Sequence, residues 1–113
     1  MVGKTKAPTK ADRARFDALQ ELGCIACAKE GRWGVAPDIH HITDRGRRLG
    51  HQFTIGLCPW HHRAIPPSGL TTPEAEKVLG PSLARSKREF TERYGAEQEL
   101  LERTNGALDR RAA

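Results

Sequence analysis

The sequence predicts a small α+β domain in which helices from both ends of the chain wrap loops and short strands around a metal-binding centre. Three observations lead to this prediction. The 113 residues include only two tryptophans, one tyrosine and three phenylalanines, so the hydrophobic core is thin. All the cysteines and histidines fall between positions 24 and 62. Helical periodicity is confined to the segments on either side of this middle region.

Composition excludes several classes of protein. The odd count of three cysteines disfavours a secreted disulfide scaffold, because one thiol would stay unpaired. No apolar stretch reaches the length of a membrane span, and residues 1–4 lack the apolar core of a signal peptide. We therefore expect a cytoplasmic protein with no membrane partner, and a monomer. The net charge of +5 gives weak support for a polyanionic partner such as nucleic acid.

The beginning of the chain predicts one helix. Thr9 and Asp12 have the spacing of a capping box, and Gly23 is a natural stop. Between them, apolar residues recur on one helical face at Phe16, Leu19 and Leu22. Residues 1–8 are expected to form a flexible basic tail, and a single folded domain is expected over residues 9–108.

Three more helices are predicted over about residues 72–105. Thr72-Pro73 suits the start of a short helix, and Gly80-Pro81 separates it from a second one. The apolar face of that second helix is predicted to consist of Leu83, Phe90 and Tyr94. A last helix is expected over residues 96–104, followed by a disordered tail over residues 109–113.

Two pairs of residues in the middle region have the spacing of zinc ligands. Cys24 and Cys27 form a Cys-x-x-Cys pair, and Cys58 and His61 form a Cys-x-x-His pair. Two intervening residues let a tight turn point both side chains at one ion, and two such knuckles complete a tetrahedron. The knuckles at 24–27 and 58–61 therefore predict a closed, structural Zn²⁺ site. The alternatives are buried structural cysteines and, for Cys-x-x-Cys alone, a redox motif, although no βαβ pattern surrounds it.

Four histidines remain once His61 is assigned to zinc, namely His40, His41, His51 and His62. The predicted knuckles hold both ends of the intervening segment, which includes one apolar run of strand length over residues 53–57. His62 follows directly after a zinc ligand. A lone histidine is usually an ordinary loop or strand residue, but this grouping predicts a second site.

These motifs resemble the HNH endonuclease superfamily and, more closely, the phage recombination-enhancement nucleases. The residues that carry the resemblance are the Cys-x-x-Cys pair, the segment Ile39 to Ile42, the turn Gly46 to Arg48, the run Gly50 to His62 and the segment Gly80 to Leu83. The similarity covers about residues 23–101. It implies a zinc-stabilised ββα-metal unit over about residues 38–66, and action on DNA with help from the host recombinase filament.

The resemblance also implies roles for single residues in a metal-dependent DNA endonuclease that acts in phage recombination or DNA processing. His40 and His62 match positions that bind the catalytic divalent cation, Mg²⁺ or Mn²⁺, and His41 matches the general base. The asparagine of the superfamily motif has no counterpart here, and Thr54 or His51 is expected to brace the base instead. Since adjacent strand residues point to opposite faces, a kink near residues 39–41 is expected to bring both rings to one site.

A basic turn follows the His-His pair. Arg45, Arg47 and Arg48 are expected to bind DNA phosphates, although a solvated hairpin loop is equally compatible with them. Arg63 directly follows the predicted metal ligand His62 and is a better candidate for DNA binding, although it could cap the helix instead. The two tryptophans are expected to pack beside the zinc and not to stack on bases. No base-reading element is visible, so low sequence specificity is expected.

Two other functions stay open. One is a zinc-stabilised DNA-binding module with a degenerate, inactive HNH site, which the missing asparagine favours. The other is a hydrolase of a different substrate, with His40, His41 and His62 as three zinc ligands. Cleavage of plasmid DNA with Mg²⁺ or Mn²⁺ would separate these possibilities.

Overall fold

The computed structural model describes residues 6–112 and confirms the α+β class. Within this range the elements follow in the order α1 (Lys10–Leu22), α2 (Ile25–Lys29), β1 (Asp38–His41), β2 (Thr43–Asp44), β3 (Arg47–Arg48), β4 (Thr54–Leu57), α3 (Pro59–Arg63), α4 (Thr72–Leu79), α5 (Lys87–Tyr94) and α6 (Glu97–Ala112). None of the described helices is long and apolar enough to cross a membrane.

Helix α1 has the predicted capping box. The hydroxyl of Thr9 accepts from the Asp12 N–H at 3.1 Å, and the Asp12 carboxylate accepts from the Thr9 N–H at 2.9 Å. The helix ends at Gly23, whose φ of 90° lies in the region that glycine favours. The flexible tail expected over residues 1–8 falls mostly on residues 1–5, outside the described range.

Strands β1 and β4 form the antiparallel sheet that carries the histidine pair. The register places His41 opposite Thr54 and Asp38 opposite Leu57. All residues of β4 are buried, whereas those of β1 are half-buried. Strand β4 starts at Thr54, one residue after the start of the apolar run predicted over residues 53–57. The reason is that the Phe53 N–H donates to the Gly50 carbonyl and closes the preceding turn.

Gly56 of β4 lies where two other segments approach the strand closely. A Cβ at this position would lie 2.7 Å from the Gly23 carbonyl oxygen and 3.0 Å from the Cβ of Pro37. A contact of 2.7 Å between a Cβ and a backbone oxygen is too short to occur without a shift of the backbone, so glycine is required at this position. The close approach fixes the end of α1 and the loop before β1 against the sheet.

The second predicted C-terminal helix starts later than expected. Helix α5 begins at Lys87, with Ser86 as its N-cap. The carbonyl of Ser82 accepts from the N–H groups of residues 85 and 86, which closes a separate turn before the helix. Leu83 lies in that turn, where its N–H donates to the His61 carbonyl at 3.0 Å, so its assignment to the apolar face of the helix was wrong.

Helix α6 extends beyond its predicted end. It continues to Ala112, so the disordered tail predicted over residues 109–113 is wrong for residues 109–112, and Ala113 lies outside the described range. Burial continues along the helix at Leu100, Leu101, Thr104 and Ala107. Because α6 packs against α1 over this face, its last turns have a surface that stabilises them.

The two tryptophans have different environments. Trp60 is fully buried in the core that also contains the cysteines, and its indole N–H donates to the Gly80 carbonyl at 2.9 Å. Trp33 is 60% exposed. The expectation of packing beside the cysteine cluster is therefore met by Trp60 and is wrong for Trp33.

Candidate functional site

The four residues of the two knuckles converge on one buried point. Their ligand atoms all lie within 4.8 Å of one another. The Nδ1 atom of His61 lies 3.6 Å from the sulfur of Cys24, 3.5 Å from that of Cys27 and 3.2 Å from that of Cys58. A tetrahedral Zn²⁺, with Zn–S near 2.3 Å and Zn–N near 2.0 Å, requires S···N separations of about 3.5 Å and S···S separations of about 3.8 Å. The sulfurs of Cys27 and Cys58 lie 3.9 Å apart, so this cluster can hold a metal such as zinc.

The cluster favours the thiolate form that a metal needs at Cys58, whereas hydrogen bonds with Cys27 and Cys58 raise the pKa of the Cys24 thiol. All three cysteines are free and buried. Hydrogen bonds from Cys24 and Cys27 hold the pKa of the Cys58 thiol well below its usual range. The Cys27 N–H donates to the sulfur of Cys24, which fixes the first knuckle.

Two groups on the far side of His61 fix its tautomer. Its Nε2 atom lies 2.8 Å from the Leu79 carbonyl oxygen, which can only accept, so Nε2 carries the proton. The Tyr94 hydroxyl donates to the same carbonyl at 2.8 Å. The Nδ1 atom points into the cysteine cluster, and in the neutral ring its lone pair would face a metal there, so the imidazole is oriented as metal-ligating histidines usually are.

A second group of side chains surrounds His40 of β1 and His62 of α3. Their ring centroids lie 5.1 Å apart. The Nε2 atom of His40 lies 2.9 Å from a carboxylate oxygen of Glu97, and the Nδ1 atom of His62 lies 3.0 Å from a carboxylate oxygen of Asp38. Arg63 donates from two nitrogens to the same Asp38 carboxylate, at 2.8 and 3.3 Å.

The two carboxylates orient the two rings. Hydrogen bonds from Arg63 and then His62 lower the pKa of Asp38, and the hydrogen bond from His40 lowers the pKa of Glu97. Both carboxylates are therefore acceptors at neutral pH. A neutral imidazole that donates one N–H to a carboxylate keeps one lone pair, which is the arrangement typical of metal-ligating histidines.

A third group contains His41 and His51. The Nε2 atom of His41 lies 2.9 Å from Nδ1 of His51, and Nε2 of His51 lies 2.6 Å from the carbonyl oxygen of Lys6. Because that carbonyl can only accept, a neutral His51 donates from Nε2 and accepts at Nδ1. His41 then donates from Nε2, which leaves the lone pair of its Nδ1 atom free to accept a proton.

The surroundings of His41 favour its neutral form. Burial, followed by the charges of Arg48, His51 and His40, lowers the pKa of His41 below its ordinary value of 6.5. The ring packs edge-on against Phe16 of α1, with centroids 6.1 Å apart. A histidine that is unprotonated at neutral pH can act as a general base.

Thr54 connects this histidine pair to α1. Its hydroxyl donates to the His51 carbonyl at 2.8 Å, which closes the turn that presents the His51 ring. Arg15 of α1 donates from Nε to the Thr54 hydroxyl at 2.9 Å and from a terminal nitrogen to the Thr54 carbonyl at 2.6 Å. A continuous set of hydrogen bonds therefore runs from α1 to His41.

The predicted kink near residues 39–41 is absent from the described strand. Residues 38–41 form a regular strand paired with β4, and its alternation sends the two adjacent rings to different neighbours. His40 contacts His62 and Glu97, whereas His41 contacts His51 and Phe16. The structure thus forms two histidine pairs, each with its own neighbours, in place of one merged cluster.

The basic turn forms a short hairpin between β1 and β4. Residues 45 and 46, at φ of 53° and 79°, connect β2 to β3 as in a type I′ turn. Arg45, Arg47 and Arg48 are all exposed. Arg63 differs from them, because its guanidinium group is bound by Asp38.

Sequence reasoning missed four groups in these networks: Asp38, Glu97, Arg15 and the carbonyl of Lys6. Asp38 could have been found, since it lies two positions before His40 on the same strand and thus on the same face. No local pattern indicates Arg15 or Glu97, which are separated from their partners by 39 and 57 residues.

Together these features define a small α+β domain in which a buried Cys₃His cluster that can hold a metal lies beside two pairs of histidines. A family model described as recombination enhancement, RecA-dependent nuclease matches residues 8–109. The chain belongs to this family of nucleases, which confirms the closer of the two resemblances predicted from the sequence.

Proposed function

We propose that this chain is a metal-dependent DNA endonuclease of the HNH type, in which His41 is the general base that activates water for phosphodiester hydrolysis. The observation that carries the proposal is the hydrogen-bonded series from Lys6 through His51 to His41. It leaves Nδ1 of His41 with a free lone pair, and the lowered pKa keeps that atom unprotonated. The order of β1, β4 and α3 supports the HNH assignment.

His51 and Thr54 take the part of the missing asparagine. His51 holds the ring of the base through a direct hydrogen bond, and Thr54 holds the backbone of His51. A base that is fixed in one tautomer and one orientation loses little entropy in reaching the reactive geometry. This chain therefore does not need an amide side chain at that position.

His40 and His62 would hold the catalytic divalent cation, Mg²⁺ or Mn²⁺. The carboxylates of Glu97 and Asp38 orient the two rings and add negative charge beside them. When bound, such a cation stabilises the negative charge that develops on the phosphate oxygens. The Cys₃His cluster fits a structural Zn²⁺ and has no open position for substrate.

The hairpin arginines are the proposed contacts to DNA phosphates. Arg45, Arg47 and Arg48 are exposed, and the charge of Arg48 acts on His41. Arg63 is bound to Asp38, so it could contact DNA only if a phosphate replaced Asp38 as its partner. Contacts to phosphates alone carry little sequence information, which supports low specificity. Family membership supports a RecA filament as the partner and DNA recombination as the process.

Cleavage of supercoiled plasmid DNA in Mg²⁺ or Mn²⁺, with and without RecA filaments, tests the proposal. The wild type is expected to nick the plasmid, and His41→Ala to lose about 10²- to 10⁴-fold in rate while it retains its zinc content and circular dichroism spectrum. Arg88→Ala, on the exposed face of α5, is the matched control and should cleave normally. DNA binding without cleavage under every condition would instead support a binding module with an inactive site.

A further inference from the structure

Trp33 lies in a short loop after α2 and takes no part in the networks described above. Its side chain is 60% exposed, although indole rings are costly to leave in water. It borders a cleft of about 240 Å³, which is lined by Leu22, Trp33, Ala107, Arg110 and Arg111. An aromatic ring and two guanidinium groups therefore share one surface depression.

The charge of this cleft is positive. Arg110 forms no ion pair with any described residue. Arg111 lies 3.7 Å from Glu21, but both side chains are exposed, and such a pair contributes little to stability. A phosphate group could therefore replace Glu21 as the partner of Arg111 at small cost.

The combination of an accessible ring and two arginines fits one ligand class best. A single-stranded nucleic acid offers a π-face on every base for the indole and a phosphate on every nucleotide for the guanidinium groups. A duplex offers the same phosphates but hides its base faces within the stack. An acidic peptide would engage the arginines without using the ring.

We propose that Trp33, Arg110 and Arg111 form a second nucleic-acid surface, which binds single-stranded DNA through stacking of a base on the indole and contacts of adjacent phosphates with the arginines. The choice of DNA over RNA rests on the proposed nuclease function. Helix α1 connects this surface to the histidine site, because Phe16 contacts His41 and Leu22 lines the cleft. These two positions are six apart on the helix, about 9 Å along its axis, which a strand of a few nucleotides can span.

Tryptophan fluorescence tests the proposal directly, because Trp60 is buried and serves as an internal reference. The full chain is titrated with a decathymidylate oligonucleotide in the absence of divalent cations, so that no cleavage is required. The expected result is quenching of the fluorescence that comes from the exposed Trp33, while that of the buried Trp60 persists. Trp33→Ala should lose this quenching and raise the Kd, measured by anisotropy of a labelled oligonucleotide, about 5- to 100-fold.

Matched variants identify the surface. Val78→Ala removes another exposed apolar side chain, on α4, and should leave the Kd unchanged. Arg110→Gln should weaken binding and reduce its salt dependence, whereas Arg88→Gln on α5 should not. Binding of Trp33→Ala within twofold of the wild type, or equal quenching by duplex and single strand, would overturn the proposal. Since no cleavage is measured here, failure of this test would leave the nuclease proposal standing. Conversely, full cleavage activity in His41→Ala would overturn the role proposed for the base and leave this surface standing.

Discussion

At the scale of single residues, the orientation of the candidate base His41 depends on hydrogen bonds that no local sequence pattern predicts. His41 is oriented by His51, which is held by the Lys6 carbonyl and by Thr54. Thr54 in turn binds Arg15, which comes from a helix 39 positions earlier in the chain. The histidines and Thr54 could be predicted as a group because they are clustered in the sequence, whereas Arg15 could be found only from the fold.

The pH dependence of cleavage follows from the lowered pKa of His41. In the proposed mechanism the neutral form is the base, so activity should be high above that pKa and fall as the pH drops through it, below about 6.5. The positive charge of Arg48 contributes to this shift. Arg48→Gln should therefore raise the pKa of His41 and move the acidic limb of the rate profile to higher pH.

The pKa change is best measured by NMR titration of the His41 ring, which does not depend on DNA affinity. Arg47→Gln is the matched control, because adjacent residues of β3 point to opposite faces. An identical shift in both variants would contradict the role given to the Arg48 charge.

Removal of the Thr54 hydroxyl tests the connection from α1 to the base. Thr54→Val leaves a donor of Arg15 without its acceptor and releases the His51 turn. We expect kcat to fall roughly 10- to 100-fold with little change in KM, because the base is misplaced while the DNA contacts persist. Thr54→Ser keeps the hydroxyl and should retain most of the activity. Equal kcat values for the two variants would exclude a positioning role for this hydroxyl.

At the scale of elements, the secondary structure was predictable where local chemistry decides it. The capping box of α1 and the two cysteine knuckles depend on residues three positions apart, and both form as predicted. The start of α5 and the end of α6 depend on packing instead. The hydrogen bond from the Leu83 N–H to the His61 carbonyl holds Leu83 in a turn before α5. Near the end of α6, Ala107 is buried by tertiary contacts that a local sequence pattern does not predict.

The close approach at Gly56 gives a test of how the elements are joined. Gly56→Ala should lower the free energy of unfolding by about 2 kcal/mol or more, since the new Cβ would lie against the Gly23 backbone. Gly106→Ala is the matched control in α6, where the nearest atom to a new Cβ is the end of a flexible arginine at 3.4 Å. That variant should gain about 0.5–1 kcal/mol from helix propensity. Urea denaturation measures both values, and a stable Gly56→Ala protein would contradict the close approach.

At the scale of the whole molecule, the Cys₃His cluster joins parts of the chain that share few other contacts. It links the end of α1, through Cys24, to α3, and the ring of His61 binds the carbonyl that ends α4 and the hydroxyl of Tyr94 in α5. A metal bound in this cluster would add folding energy to a chain that has few large apolar side chains.

Loss of one ligand should therefore affect the entire fold. We expect purified wild type to contain one zinc per chain, and Cys58→Ser to lose the metal and the cooperative unfolding transition. Elemental analysis and circular dichroism measure the two effects. A folded wild-type protein without any zinc would show that the cluster is not a structural metal site.

The peptide bond between His61 and His62 has a consequence for the time course of inactivation by chelators. The first residue belongs to a buried cluster, while the second lies near the surface beside Asp38. Brief exposure to a chelator should strip the proposed catalytic cation from His62, and added Mg²⁺ would restore activity at once. Prolonged exposure should extract the ion expected in the Cys₃His cluster, unwind α3 and move His62 away from His40, after which Mg²⁺ alone would not restore activity.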